Sequence, residues 1–540
     1  MRNSGNTDRA APDFLFVDYQ EDKPDNRAID KQKRVFAQRT HQRKKRQAAV
    51  ERLKTSTHVF RQRLPLAYKS AADGAGRVVR GDNQGGRDGE DTEPATAGAD
   101  GTRYFMQVAL MKEFLFQKPH LGQGFTDPFG TTAVPMNEFM NSYFHHLRNF
   151  TITQSYPLDT SRMSVWWWQK ALAVPAIQLA LLVSAASHQT AMNSLYNAPS
   201  QYLTRSIGEF YRLRGDTIKT LNGLLCNPGP VAESTILIVA ALRAIEAISG
   251  NFEGAAAHTK GLYSLIHLNG GLEALDHMTL SKIYHADIMC SVLTDTAPAL
   301  PLTTRWRGEI RQEAHVFHST HDIVAQLNNK PQIAAQLSVL GTSFFQAPWY
   351  TALDDSMKTF LRVSQRLIQY YEVAHLRPSI IVPTDNDLFV LLEHQLMSIR
   401  YPPTVSDPSA PSLLNEPLRI TLFIYLNMRI WHFQHFPVMQ FMVSSLQNSL
   451  IVQISFEVPA ISQIIKTAPD ALFWILVIGG MASQGHDSHA WFVDHLADVS
   501  RYLGIREWST ARDVLSGFFY TEQPEEPGGD ELWKQVVQVL

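Results

Sequence analysis

Apolar side chains recur at helical spacing in the segment Glu233–Ser249, and they cover much of the helix circumference. A helix with so wide an apolar surface belongs in a protein core. The only charged residues after Glu233 are Arg243 and Glu246, which are three positions apart and can pair with each other. This segment therefore predicts a buried helix.

A second apolar stripe follows directly, so the two segments predict a helical hairpin with a very short loop. Gly250–Asn251 interrupts the first pattern, and the next helix is predicted from about Gly254 until Asn269–Gly271, where the glycines favour a helix end. We expect Gly261 to lie on the face that packs against the neighbouring helix. The inward positions of the second helix are Ala255, Leu262, Leu265 and Ile266.

From Arg103 onwards, further segments with apolar residues at helical spacing are separated by Pro, Gly, Asn and Asp. Alternating strand patterns are nearly absent. The pattern predicts an all-α fold, with one large multi-helix domain over residues 103–540. Between Pro298 and Pro348 the pattern is less regular and leaves room for a long loop. The other predicted helices are Asn137–Asn149, Trp166–Tyr196, Gln201–Leu225, Ser281–Val292, Ser356–Leu376, Asp385–Tyr401, Leu413–Phe436, a pair within Val458–Ile478, Ser488–Tyr502 and Trp508–Tyr520.

The first hundred residues have a different composition, which predicts three segments. Residues 1–26 are mostly polar and predict a disordered N-terminus. Residues 27–69 are basic and helix-prone. Residues 70–102 consist mainly of Gly, Asp, Glu, Ala and Thr, so they cannot offset their ordering entropy and predict a disordered linker. The basic segment is then tethered to the helical domain.

The charge of the whole chain is only −2, but its distribution is strongly uneven. Residues 27–63 hold thirteen Lys and Arg residues against two acidic ones, Asp30 and Glu51. Such an excess favours a polyanionic partner or a nuclear-import receptor. The candidate residues for contact with DNA or for nuclear import are Arg34, Arg39, His41, Arg43, Lys44, Lys45 and Arg46.

Two groups of residues in the helical part resemble the regulatory domain of fungal-specific transcription factors. The first contains Gly250–Asn251, Ala257–His258, Gly261–Leu262 and Gly270–Gly271, and resembles the middle of that domain. The second resembles its closing segment, and the two occur in the same order as in the family. The residues of the second group are Leu472–Gly480, Trp491–Phe492, Trp508 and Leu515–Tyr520. The resemblance implies a helical regulatory domain in a nuclear transcriptional regulator.

Members of this family often carry a six-cysteine zinc cluster near the N-terminus, but this chain has no cysteine before Cys226. The basic segment resembles instead the short N-terminal motif of members that lack the cluster, through Phe16–Val17, Arg39, His41, Arg43 and Lys45–Arg46. A leucine-zipper basic region fits less well, because Arg34 stands where that motif has asparagine. Its heptads also end after Leu53 and Phe60.

The sequence gives little support for an enzyme, a metal site or a phosphate-binding loop. No serine elbow or activated cysteine suggests an enzyme, and we expect no metal or cofactor. His486, His489 and His495 are close in sequence but are better explained as surface histidines, and His258 as a core histidine bonded to backbone. The glycine pairs Gly270–Gly271 and Gly479–Gly480 lack the Lys-Ser/Thr of a phosphate loop and are predicted to end helices. The two cysteines, Cys226 and Cys290, predict no disulfide, and no apolar run reaches the length of a membrane span.

These observations predict a transcriptional regulator whose basic segment, residues 27–63, contacts DNA or directs import into the nucleus. The alternative is a helical scaffold or ligand-sensing module that does not bind DNA and acts through a partner regulator. Protein partners or a homodimer are compatible with both.

Overall fold

The structure is a computed structural model that describes residues 134, 136–156, 158, 160–195, 200–226, 231–249, 251–313, 323–327, 329–401, 411–431, 433, 437–455, 458–521 and 528–540. These residues form an all-α fold, which confirms the predicted fold class. The segments predicted at 1–26, 27–69 and 70–102, and residues 103–133 of the predicted helical domain, lie outside the described residues.

The described residues contain twenty α-helices. In chain order they are α1 (Glu138–His146), α2 (Ile152–Ser155), α3 (Thr160–Ala173), α4 (Pro175–Leu195), α5 (Ser200–Leu225), α6 (Glu233–Ile248), α7 (Phe252–Leu268), α8 (His277–Thr294), α9 (Thr304–Glu313), α10 (Pro331–Val339), α11 (Thr342–Gln346), α12 (Asp355–Leu376), α13 (Asp385–Ser398), α14 (Asn415–Arg429), α15 (Pro437–Ile451), α16 (Ala460–Thr467), α17 (Pro469–Ala482), α18 (His489–Leu503), α19 (Trp508–Ser516) and α20 (Gly529–Val539). A π-helical turn, Leu147–Thr151, joins α1 to α2. Two short antiparallel strands, β1 (Gln453–Ser455) and β2 (Val458–Pro459), precede α16.

The predicted hairpin is confirmed as α6 and α7. The Asn251 side chain accepts a hydrogen bond from the Gly254 N–H (3.2 Å) and caps α7. Gly270 and Gly271 end the hairpin with φ values of 95° and 91°, which side chains disfavour. The expectation for Gly261 is wrong, because a Cβ atom there would meet nothing within 4 Å. The face of α7 that carries Gly261 is therefore open.

Two glycines predicted to end a helix instead lie inside α17, so that prediction is wrong. A Cβ atom on Gly479 would clash with the Phe492 ring and lie 3.0 Å from Leu446, and one on Gly480 would lie 2.8 Å from Leu532. These glycines allow α18, α15 and α20 to approach α17 closely. They serve packing, and the helix ends at Ala482.

Other helix boundaries also differ from the predicted ones. The single helix predicted over Trp166–Tyr196 is two helices, since Pro175 has no N–H to continue α3 and begins α4 instead. In the irregular region Pro298–Pro348 the described residues include α9, α10 and α11. The C-terminal helix α20 has no counterpart among the predicted helices.

Two helices form the centres of the hydrophobic core. Helix α8 is buried at nearly every position from Thr279 to Leu293 and packs against α6, α13 and α15. Helix α17 is buried from Ala471 to Gly480 and packs against α14, α16, α18 and α20. Both centres belong to one continuous cluster of buried apolar side chains. No helix among the described residues is both long and apolar enough to cross a membrane.

Candidate functional site

The residues predicted from the sequence to contact DNA or direct import, Arg34, Arg39, His41, Arg43, Lys44, Lys45 and Arg46, lie outside the described residues. The candidate site within the described part of the chain is different. It is a pair of adjoining cavities at the N-terminal half of α8, and we call it the Lys282 cavity.

Lys282 is the cation at the centre of this site. It projects from the buried helix α8 and lines both cavities. Across the described part of the chain, its ammonium group makes neither an ion pair nor a hydrogen bond. Burial lowers the pKa of Lys282 to about 8, because the charged form loses hydration. The side chain is therefore still mainly charged at pH 7.

Two aromatic rings form the wall nearest to this ammonium group. Its Nζ lies 5.7 Å from the centre of the Tyr156 ring and 5.9 Å from the Trp167 ring, near the outer limit of a cation–π contact. The Trp167 indole N–H donates a hydrogen bond to the Tyr156 hydroxyl (2.9 Å), which fixes both rings. These two aromatic contacts recover only part of the hydration free energy that the ammonium group has lost.

Two further polar side chains face the smaller cavity with unused hydrogen-bonding capacity. His285 is 6% exposed and Asn386 is 5% exposed. Neither His285 Nε2 nor Asn386 Nδ2 has a hydrogen-bond partner in the described chain. The Asn386 Oδ1 atom accepts the Leu158 N–H (3.0 Å), so the amide orientation leaves the amino group as the free end.

His285 is held neutral and fixed in position. Burial, followed by the charge of Lys282, lowers its pKa to about 3. Its ring stacks on Trp431 with 4.7 Å between ring centres. A neutral imidazole can carry its proton on Nε2, and in that tautomer it donates a hydrogen bond into the cavity.

A histidine bridged by two carboxylates also lines the smaller cavity. His277 lies 2.7 Å from Asp387 through Nε2 and 2.5 Å from Glu309 through Nδ1. Burial lowers the pKa of His277, but the hydrogen bonds and charges of Asp387 and Glu309 outweigh it and leave the pKa raised. His277, Asp387 and Glu309 therefore satisfy one another, whereas Lys282, His285 and Asn386 can still form hydrogen bonds with another molecule.

The two parts of the site differ in character. The larger cavity has a volume of about 50 Å³ and is lined by Leu147, Thr151, Ile152, Ser155, Tyr156, Trp167, Ile177, Ala180, Leu181, Ser184, Leu237, Ile238, Ala241 and Lys282. The smaller has a volume of about 20 Å³ and is lined by Ser155, Tyr156, Arg162, Met163, His277, Met278, Ser281, Lys282, His285, Pro383, Asn386, Asp387, Val390 and Trp431. Both cavities expose mainly apolar surface, but the smaller one is lined by more polar and charged side chains. Ser155, Tyr156 and Lys282 belong to both.

Buried polar contacts hold the helices around the site. The expected Arg243–Glu246 pair is wrong: Arg243 pairs with Asp287 on α8 (2.7 Å), and Glu246 accepts a hydrogen bond from the Asn251 side chain (2.6 Å). The two side chains leave α6 towards different neighbours. Asp287 also accepts the Leu300 N–H (2.8 Å), so it holds both α6 and the segment that follows α8.

A carboxyl group lies behind the Trp431 wall. The Glu393 Oε1 atom accepts hydrogen bonds from the Trp431 indole (2.7 Å) and from the Asn427 amide (3.1 Å). Burial raises the pKa of Glu393 to about 8, so this carboxyl group is mainly protonated at pH 7. It therefore adds little negative charge near Lys282.

The histidines considered from the sequence have structural contacts. His489 bonds Ser483 and Gln535, both at 3.0 Å, and His495 bonds the Trp491 carbonyl (2.9 Å). His258 lies 3.9 Å from Glu246 instead of bonding backbone, which corrects that expectation. Among the residues that the structure describes, no three His, Cys, Asp or Glu side chains are grouped so that they could hold a metal ion. Both cysteines are free thiols.

Comparison of the chain with known protein families, curated proteins and solved structures finds no match. The chemistry of the site must therefore be inferred from the arrangement itself. One charged ammonium group and two unused donors around a partly apolar cavity can bind an anion. No local sequence pattern predicts this site, although Lys282 and Asp287 are conspicuous as charges within the apolar helix Ser281–Val292.

Proposed function

We propose that this protein is a transcriptional regulator of the fungal-specific type that acts in the nucleus. In this proposal residues 27–63 contact DNA, and the helical domain regulates that contact. The observation that carries it is the concentration of thirteen Lys and Arg residues against two acidic ones in a segment of 37 residues. DNA carries one negative charge per about 1.7 Å of its axis, so such a segment gains affinity by releasing condensed counterions.

The contact is expected to be made chiefly with phosphates. Lys and Arg side chains that bind phosphate oxygens position a protein on the duplex but do not read its sequence. The helical fold supports a regulatory role, because a large α-helical domain offers surfaces for partner proteins and an internal cavity for a ligand. The residue pattern shared with fungal-specific regulators supports the same proposal.

A second candidate is a ligand-sensing helical module that acts through a partner regulator, with the basic segment serving only for nuclear import. The Lys282 cavity favours this alternative, because a sensor needs an internal site whose polar groups lack partners. The two candidates differ in one property: only the first requires the protein to have its own affinity for DNA.

The salt dependence of DNA binding distinguishes them. If four to six of the thirteen cations contact phosphates, the logarithm of affinity should fall with the logarithm of salt concentration with a slope of about −4 to −5. Replacing Arg39, Arg43, Lys44 and Arg46 by alanine should reduce the steepness of that slope by about 2 to 4. Fluorescence anisotropy with two unrelated duplexes between about 50 and 200 mM salt measures both quantities.

A matched control removes four cations from exposed positions of the helical domain: Lys260, Lys330, Lys466 and Lys534. This variant has the same net charge as the first, so it should retain the slope of the parent if residues 27–63 make the contact. Absence of DNA affinity in the parent at low salt would contradict the proposal. Restored regulation when the first variant carries a heterologous nuclear-import signal would support the import-only alternative.

A further inference from the structure

The Lys282 cavity combines a half-buried cation with two buried donors, His285 and Asn386, that have no partner in the described chain. A polar group left without a hydrogen-bond partner in a protein interior is destabilising. Lys282 and His285 on α8 and Asn386 on α13 all line the smaller cavity, so the fold brings the three groups to one place. Such a cluster calls for a binding partner that satisfies several groups together.

The chemistry of the three groups specifies an anion. Lys282 contributes positive charge, the Asn386 amino group is the end left free by the Leu158 hydrogen bond, and neutral His285 can donate through Nε2. A carboxylate has two oxygen atoms that accept several hydrogen bonds at once. The nearest carboxylate in the cavity wall, Asp387, is already bonded to His277 (2.7 Å).

The adjoining apolar cavity specifies the rest of the ligand. Ile152, Ile177, Leu237 and Ile238 line it and offer no partner for a second charged group. Its volume of about 50 Å³ admits only a few heavy atoms, since about 10–15 Å³ of such volume holds one water molecule. An inorganic anion would leave this part of the cavity without contacts.

We propose that the Lys282 cavity binds a short-chain monocarboxylate. Its carboxylate lies against Lys282, His285 and Asn386, and its aliphatic end lies among the isoleucine and leucine side chains. This site is independent of the proposed contact with DNA, because the two involve different residues. Each test can therefore fail without the other.

Calorimetric titration of the full-length protein with formate, acetate, propionate and butyrate tests the proposal. We expect saturable binding that tightens at least about threefold from formate to acetate or propionate, as each buried methylene adds apolar contact. Acetamide and propionamide, which have the same shape without the charge, should bind at least about tenfold more weakly. Inorganic phosphate should not compete.

Two variants assign the binding to this site. Asn386→Asp keeps an oxygen that accepts the Leu158 N–H, but replaces the free donor by a second acceptor with negative charge, so affinity should fall at least about tenfold. Lys282→Met should have the same effect through loss of the cation. Lys260→Met, on the exposed surface of α7, is the matched control and should bind like the parent.

A third variant tests the apolar half separately. Ile238→Phe fills the larger cavity and should weaken propionate at least about fivefold while formate is little affected. The variants differ in the way they change the site, so a folding defect in one does not leave the proposal untested. The proposal is overturned if no acid binds with a Kd below about 10 mM, if the amides bind as tightly as the acids, or if Asn386→Asp and Lys282→Met both bind like the parent.

Discussion

Lys282 should reduce the stability of the protein when no ligand is bound, and its replacement by methionine should therefore be stabilising at neutral pH. The pKa of the side chain falls from about 10.5 to about 8 on folding. This difference corresponds to about 3 kcal/mol by which the folded state disfavours the charged form. Methionine keeps an unbranched chain of similar length without the charge.

The expected gain is smaller than this figure for two reasons. The ammonium group faces a cavity that water can enter, which restores part of its hydration. Its contacts with Tyr156 and Trp167, at 5.7 and 5.9 Å, contribute about 0.5 kcal/mol each and are lost in the variant. We therefore expect Lys282→Met to raise the free energy of unfolding by about 1–2 kcal/mol at pH 7.

The pH dependence identifies the cause. Between about pH 8 and 10.5 the unfolded chain binds more protons than the folded chain, because only the unfolded lysine keeps its ordinary pKa. The penalty is fully present below about pH 8 and disappears as the pH rises towards 10.5, so the advantage of Lys282→Met should shrink over that interval. Of the groups around Lys282, His285 stays neutral and Tyr156 stays protonated from pH 7 to 10. His277 is the same in both proteins, and its titration cancels in the difference.

Urea unfolding at pH 7 and pH 10, followed by circular dichroism, measures this difference. The exposed replacement Lys260→Met is the control and should change stability by less than about 0.5 kcal/mol at either pH. A Lys282→Met variant less stable than the parent at pH 7 would contradict the predicted charge penalty. A gain as large at pH 10 as at pH 7 would contradict it as well.

Two other predictions concern the core. Because burial raises the pKa of Glu393 to about 8, its contribution should lower the free energy of unfolding as the pH rises from about 4.5 to 8. Glu393→Gln should remove that loss. In urea unfolding we expect the variant to be more stable than the parent by up to about 4 kcal/mol at pH 8 and equally stable at pH 4.5. Gly479→Leu should lower the stability of the protein by about 1–3 kcal/mol, because the new side chain would clash with Phe492. Gly261→Leu lies on the open face of α7 and should be neutral or slightly stabilising. Thermal unfolding of both variants measures the difference.

The sequence was sufficient to predict features that depend on local spacing. The hairpin α6–α7 follows from apolar periodicity and from the glycines that end it, and both kinds of signal act within one helical turn. Pro175 was also a local signal, but the strong apolar pattern on both sides of it led to the prediction of one helix. The all-α class rests on the same periodicity summed over many segments.

Features that depend on distant contacts could not be predicted in this way. Gly479 has the same local appearance as a helix-ending glycine, and only the approach of Phe492 shows that it serves packing. Arg243 has an acidic residue three positions away but pairs with Asp287, which lies 44 positions further along the chain. The Lys282 cavity joins residues from α2, α3, α4, α6, α8 and α13, so no single segment carries its pattern.

We propose that the protein regulates transcription through its own contact with DNA. Genome-wide crosslinking of the tagged protein to chromatin in its native cells tests this claim most directly, with the Arg39, Arg43, Lys44 and Arg46 alanine variant supplied with a heterologous nuclear-import signal. We predict discrete sites of enrichment for the parent, and loss of that enrichment for the variant although it reaches the nucleus. Equal enrichment of the variant, or no enrichment of the parent above an untagged control, would contradict the claim.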